Sequence, residues 1–206
     1  MAARRYDGPR VNVRSTRRFS EAISEGDGIS LIVPVDGATE AEQAEQQGAE
    51  AVLSRDYARL PEIRGATSLP ILFHWDGHGA DEVSDADACV VEARGGTERL
   101  EQVNRVLADR FELAFRIEDE EHLASALEHF DPEIFLLAPQ EDRESDDPLE
   151  NVLDLLPDIP AGKLAIADLE VTTPDEIAEL ERAGVDAVIV ASHNIAGLVR
   201  AAPPEV

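Results

Sequence analysis

The chain has 206 residues, 43% of them apolar, enough for one sizeable domain with a full core and too many for an intrinsically disordered chain. Eighteen Lys and Arg stand against 44 Asp and Glu, a formal charge of −26 that repels phosphate backbones and argues against a nucleic-acid partner. No apolar run reaches the ~18 residues of a membrane span, and the single Cys89 excludes internal disulfides and multi-cysteine zinc sites.

The basic residues are almost all arginine, with Lys163 the only lysine. An acid-rich, lysine-poor composition suits concentrated salt, where ionic strength screens self-repulsion. A halophilic protein is therefore expected, and a cytoplasmic one, because the N-terminus lacks the apolar stretch of a signal peptide.

Residues 1–18 run against the trend, with six arginines and only Asp7 to oppose them. They read as a basic N-terminal arm, residues 19–200 as the folded domain and 201–206 as a frayed tail. After residue 28 a unit recurs: a short apolar run, a polar turn, then an amphipathic helical stretch. The runs are 29–35, 50–54, 69–74, 88–92, 112–117, 133–138, 163–168 and 186–191. They are short, often β-branched and without strict alternation, as strands buried on both faces are.

The helices between them carry start and stop signals. Thr39 with Glu42 predicts a capping box, and Asp147-Pro148-Leu149-Glu150 and Thr173-Pro174-Asp175-Glu176 each supply a cap, a proline at the first position and a glutamate three residues after the cap. Gly48 and Gly184 fall where two helices end. Leu100, Val103, Val106 and Leu107 share one face of a helix predicted over 97–110. The link between the third and fourth strands, 75–87, has little room for a helix.

Alternating strand and helix implies parallel strands joined by crossovers. Eight units predict an α/β fold, a compact single-domain (β/α)8 TIM barrel with a reduced third helix. An open doubly wound sheet is the alternative. It usually has fewer strands and a glycine-rich first turn, and no Gly-x-Gly-x-x-Gly occurs here.

In such barrels chemistry gathers at the C-terminal ends of the strands. His74, Trp75, Asp76 and His78 end the third strand, Glu92 the fourth, Arg116 and Glu118 the fifth, Asp168 and Glu170 the seventh, and Ser192, His193 and Asn194 the eighth. The catalytic candidates are His74, Arg116 and Asp168. The ligand-binding candidates are Ser192, His193, Asn194 and Glu170, because Ser192 is placed to cap a final helix whose free N–H groups suit an anion. His74, Asp76, Asp168 and His193 offer imidazole and carboxylate ligands to a divalent metal, at a spacing that is not diagnostic, and no metal is assigned. Asp186, at the start of the eighth strand, falls on the stability face.

Several segments resemble those of indole-3-glycerol phosphate synthase. Phe19-Ser20-Glu21-Ala22-Ile23 followed by residues 28–35 is similar to the entry into that family's first strand. Gly48-Ala49-Glu50-Ala51-Val52-Leu53-Ser54 resembles its second strand, Leu69-Pro70-Ile71-Leu72 its third, and Ile117-Glu118-Asp119-Glu120-Glu121 the end of its fifth. Ala165-Ile166-Ala167-Asp168, with Thr173 to Val190, resembles its last two units. The resemblance implies a ribulose-phosphate-binding barrel that closes an indole ring with lysines and glutamates in its mouth.

The family's first-strand Glu and Lys align with Pro34 and Asp36, its third-strand Lys with His74, its fifth-strand Glu with Arg116 and its seventh-strand Glu with Asp168. The Ser-Gly pair of its phosphate cradle becomes Leu169 and Glu170, and the Gly-Glu pair becomes Ala191 and Ser192. Lys163 falls at the foot of the seventh strand, so no ammonium is expected in the mouth, and arginine, with a pKa above ~12, is no proton donor.

The resulting expectation is a barrel that has diverged from the family reaction and binds a small anionic ligand or a partner, with no cofactor. Two alternatives are an active lyase of tryptophan biosynthesis with His74 as general acid and Asp168 as base, and a metal-assisted hydrolase using His74, Asp76, His78 and Asp168.

Overall fold

The computed structural model describes residues 17–25, 28–76, 83–92, 101, 103, 105–140, 147–190 and 195–198. Eight parallel strands close into a barrel in chain order: β1 (Ser30–Pro34), β2 (Ala51–Ser54), β3 (Ile71–His74), β4 (Ala88–Glu92), β5 (Glu112–Ile117), β6 (Ile134–Leu137), β7 (Leu164–Ala167) and β8 (Ala187–Ile189). Seven helices are described: α1 (Arg18–Ser24), α2 (Ala38–Gln46), α3 (Leu60–Ala66), α4 (Glu120–His129), α5 (Pro148–Leu155), α6 (Pro174–Ala183) and α7 (Ile195–Leu198). The expected (β/α)8 barrel is therefore the fold, and the open sheet is not, because β1 pairs with both β2 and β8. The described residues of the link between β3 and β4 carry no helix, and 77–82 lie outside the described residues.

Each strand contributes to two cores because its side chains alternate. One set fills the barrel: Ile32, Ala51, Leu53, Leu72, Ala88, Val90, Ala114, Ile134, Leu136, Ile166, Ala187 and Ile189. The other set, including Leu31, Val33, Val52, Phe73, Val91, Phe115 and Phe135, meets the helices. Burial on both faces explains why the strands read as continuous apolar runs. Cys89 lies in the outer core, and burial pushes its thiol up to about 12, so it packs as a small apolar side chain and is no nucleophile.

The helix signals hold in two cases and need correction in one. The Asp147 side chain accepts from Leu149 N–H at 3.0 Å, and Thr173 with Glu176 forms a complete capping box. Gly184 ends α6 at φ +100°, a left-handed conformation that a side chain disfavours. Thr39, by contrast, is no cap. The cap of α2 is Gly37, in extended conformation, and the Glu40 carboxylate reaches back to accept from Asp36 N–H at 2.6 Å. The chain enters this helix two residues earlier than the Thr-x-x-Glu spacing predicts. In the stretch 97–110, Val103 and Leu107 are buried, Val106 is 37% exposed, and Leu100 lies outside the described residues.

The foot of the barrel is closed by α1. Phe19 and Ile23 insert into the barrel core from below, and Ser30 Oγ donates to the Ile23 carbonyl at 3.2 Å. Glu112, the first residue of β5, accepts from Phe19 N–H at 2.7 Å and Ser20 N–H at 3.1 Å, satisfying free amides at the start of α1. Arg18, counted with the basic arm in the sequence, begins α1 and pairs with Asp87 at 3.1 Å, while Arg64 also holds Asp87.

Three foot carboxylates repeat one device. Glu50 accepts from Leu31 N–H at 2.7 Å, Asp87 from Ile71 N–H at 2.8 Å, and Asp186 from Ala165 N–H at 2.7 Å. Each sits immediately before an even-numbered strand and captures an amide at the start of the preceding odd-numbered one. Burial raises the carboxyls of Glu50, Glu112 and Asp186 above the usual range, against the opposing pull of these hydrogen bonds.

Candidate functional site at the barrel mouth

Strand alternation decides which polar side chains face the mouth. His74, Glu92, Arg116 and Asp168 each lie two residues beyond a barrel-interior residue, namely Leu72, Val90, Ala114 and Ile166. The parallel register sets Glu92 opposite Arg116. The Asp168 N–H donates to the Leu137 carbonyl at 2.8 Å, continuing the ladder one residue past β7.

These side chains form one charged network. His74 Nε2 lies 3.0 Å from Glu92 Oε1. Arg116 contacts Glu118 through a hydrogen-bonded ion pair, lies 3.9 Å from Glu92 Oε2 and has its Nε 3.7 Å from Asp168 Oδ2. The Arg116 side chain is 14% exposed and that of Glu118 only 5%. One guanidinium is thus shared by three carboxylates. Its Nε is buried without a hydrogen bond, since 3.7 Å is an ion-pair distance and too long for one. In the neutral tautomer that donates from Nε2 to Glu92, Nδ1 is the acceptor.

Beside the network, on the side of β2 to β4, a cavity of about 380 Å³ is lined by Arg55, His74, Trp75, Asp76, Val91, Glu92 and Val103. Arg55 and Asp76 are exposed at its rim, whereas Val91 and Val103 are buried. Arg55 has no ion-pair partner among the described residues. A larger cavity, about 620 Å³, lies at the foot between α1 and the starts of β5 to β7, lined by Phe111, Phe115, Phe130 and Glu112 among others. It falls on the face that stabilises such barrels, away from the strand ends that carry chemistry.

The structure brings the catalytic candidates His74, Arg116 and Asp168 into one network, with Glu92 as the bridge. Of the ligand candidates, Glu170 is exposed outside that network, and Ser192, His193 and Asn194 lie outside the described residues. His78 lies outside them too, and among the described residues no three His, Cys, Asp or Glu side chains group as a metal site would require. Glu92 and Glu118 stand at strand ends in the sequence but were not among the candidates. The signal that finds them is Arg116: a guanidinium facing a barrel interior needs carboxylate partners, and register with β4 supplies one.

No protein-family model matches the sequence, and no curated protein matches it either. Solved structures do match in shape. Thiamine phosphate pyrophosphorylase from Pyrococcus furiosus superposes with a TM-score of 0.61 at 17% identity, over 82% of this chain and 90% of that one. The N-acetylmannosamine-6-phosphate 2-epimerase from Clostridium perfringens does so with a TM-score of 0.60 at 18% identity, over 79% and 86%. At such identities the likeness establishes the architecture: this protein is a compact (β/α)8 barrel.

Proposed function

We propose that this barrel has left the ring-closing reaction of the indole-3-glycerol phosphate synthase family, whose segment order it resembles, and binds a small ligand bearing an anionic group at the β2–β4 side of its mouth. The observation that carries this reading is the enclosure of Arg116 by Glu92, Glu118 and Asp168. An anion entering the centre of the mouth meets three carboxylates around a cation already in use. Arg55, on the rim, is the cation placed to receive it. The family's chemistry needs an ammonium in the mouth, and the only lysine is at the foot, where Lys163 pairs with Asp131 at 2.8 Å and Glu133 at 3.3 Å. The names of both structural neighbours specify phosphorylated compounds, which supports an anionic ligand on this architecture.

Trp75, the only tryptophan, lines the rim cavity and reports on it directly. In molar salt, a panel of inorganic phosphate, ribose 5-phosphate and organic carboxylates is expected to include at least one compound that shifts Trp75 fluorescence saturably. Arg55→Ala is expected to weaken that compound at least tenfold, the order of ~1.4 kcal/mol. No indole is expected above blank from the family's substrate. Turnover, or a fluorescence signal indifferent to the whole panel, overturns the proposal.

One observation favours a second reading, a lyase with a rebuilt site. Glu92 orients His74, and an oriented imidazole is equipment for proton transfer. With Nδ1 left as an acceptor, His74 suits a general base better than an acid. The indole assay separates the two readings.

A further inference from the structure

We propose that the cavity at the foot of the barrel is the docking site of this chain's own N-terminal arm, which lays the segment Arg10-Val11-Asn12-Val13-Arg14 across it in extended form. The mouth and its ligand play no part in this contact. Glu112 accepts from Phe19 N–H and Ser20 N–H, which pins the start of α1 beside β5. Arg17, the residue before α1, lines the same cavity as Glu112, so the arm joins the body at the cavity's edge. Residues 1–16 themselves lie outside the described residues. Four residues of extended chain span about 13 Å at ~3.3 Å each, which puts Val13 within reach of the cavity from Arg17.

The cavity holds about 620 Å³, and Leu113, Phe130 and Leu164 are half-buried around it, so an apolar surface stays open beside α1 among the described residues. From Arg10 to Arg14 polar and apolar residues alternate at every position, the pattern of an extended segment with one dry face. Val11 and Val13 share that face, and Arg10, Asn12 and Arg14 share the other. A closed barrel offers no strand edge to extend, so side chains and not a sheet ladder make the contact. At the rim Asp131 and Glu133 are exposed, and Lys163 holds one oxygen of each. A carboxylate has about four acceptor positions, so arginines add to this pairing without displacing it.

Charge and tethering choose the occupant. Residues 1–18 hold six arginines, and all but one of the 44 acidic residues lie beyond them. A segment tethered at the cavity's edge has an effective concentration of about a millimolar there, which a free peptide or a second copy must exceed. In molar salt the Debye length is ~3 Å, so the arginines act only in contact and the two valines carry most of the affinity.

The test is trypsin cleavage of the full chain after Arg10 and Arg14 in molar salt, with a synthetic peptide of residues 1–18 as the unprotected reference. Docking is expected to slow both cuts by roughly tenfold or more, because the protease acts on the undocked fraction. Val11→Ser with Val13→Ser keeps every arginine and is expected to bring both rates to within about threefold of the matching variant peptide. Asp131→Asn with Glu133→Gln is expected to cost a smaller part of the protection, about threefold. Glu150→Gln with Glu179→Gln, exposed on α5 and α6, is expected to cost none. Circular dichroism confirms that each variant is folded. If the native chain is cut as fast as the peptide, or the double-serine variant is protected as well as the native chain, the docking is wrong. If neutralising Asp131 and Glu133 does no more than neutralising Glu150 and Glu179, the arm rests elsewhere and the foot cavity is wrong. Protection that grows with chain concentration gives the cavity to a second copy's arm and overturns the proposal as well.

Discussion

The two ends of this barrel use the same residue type for opposite purposes. At the foot, Glu50, Asp87, Glu112 and Asp186 each accept backbone N–H groups, so their geometry is dictated by the strands and by α1. At the mouth, Glu92, Glu118 and Asp168 meet side chains, the guanidinium of Arg116 and the imidazole of His74. Carboxylates that bind main chain complete a scaffold. At the mouth, Glu92 and Asp168 bind side chains at a partly exposed rim, whereas at the foot Asp87 holds Arg18 and Arg64 as well as an amide.

The sharpest way to break the comparison is at the foot. Phe19→Ala removes the largest side chain of the α1 plug and is expected to cost about 3–5 kcal/mol, read as a fall in denaturant midpoint in molar salt. A cost near that of an exposed residue would mean that α1 does not seal the barrel. Next in size is Arg116→Met, which leaves Glu92, Glu118 and Asp168 facing one another and is expected to cost about 3 kcal/mol. Adding Glu118→Gln should restore part of the loss, and a double-mutant cycle with no coupling would dissolve the network.

Smaller effects sharpen the contrast. His74→Ala is expected to change stability by less than about 1 kcal/mol while altering ligand binding, because the residue lines an open cavity. A loss above ~2 kcal/mol would mark it as a packed group instead. The smallest effect concerns pH. Burial raises the Glu112 carboxyl in the folded chain, so the folded state binds that proton more readily than the unfolded one. Its contribution to stability therefore grows as pH falls through the raised value and levels off below the ordinary carboxylate range near ~4.3. Glu45 and Glu176, lowered by bonds to Ser68 and Thr172, work the other way and lose their contribution as pH falls through their lowered values. The informative measurement is thus the difference between the native chain and Glu112→Gln. The variant keeps an oxygen acceptor for α1 and should gain less on acidification. Identical pH profiles would remove Glu112 from the account.

Much of the scaffold was legible in the chain because local chemistry fixes it. The apolar runs located all eight strands, and the Thr173–Glu176 box and Gly184 bracketed α6. The Thr39 cap failed because a spacing rule cannot see that Gly37 already turns the chain and that Glu40 reaches back to Asp36. The foot carboxylates show a deeper limit. Asp186 is recognisable as a stability residue from its place before β8, but its partner, Ala165 N–H, belongs to the neighbouring strand and emerges only with the register. The mouth is alike: alternation points His74, Arg116 and Asp168 inward, while Glu92 becomes the bridge between them only when β4 is laid beside β3 and β5.

Cys89 gives the barrel a built-in clock. Its sulfur is sealed between β4 and the surrounding helices, so a thiol reagent reaches it only in molecules that have opened. Since there is no second thiol, each labelled chain records one such excursion. The labelling rate then reports how readily the wall of the barrel parts, and a ligand that binds the closed barrel slows it.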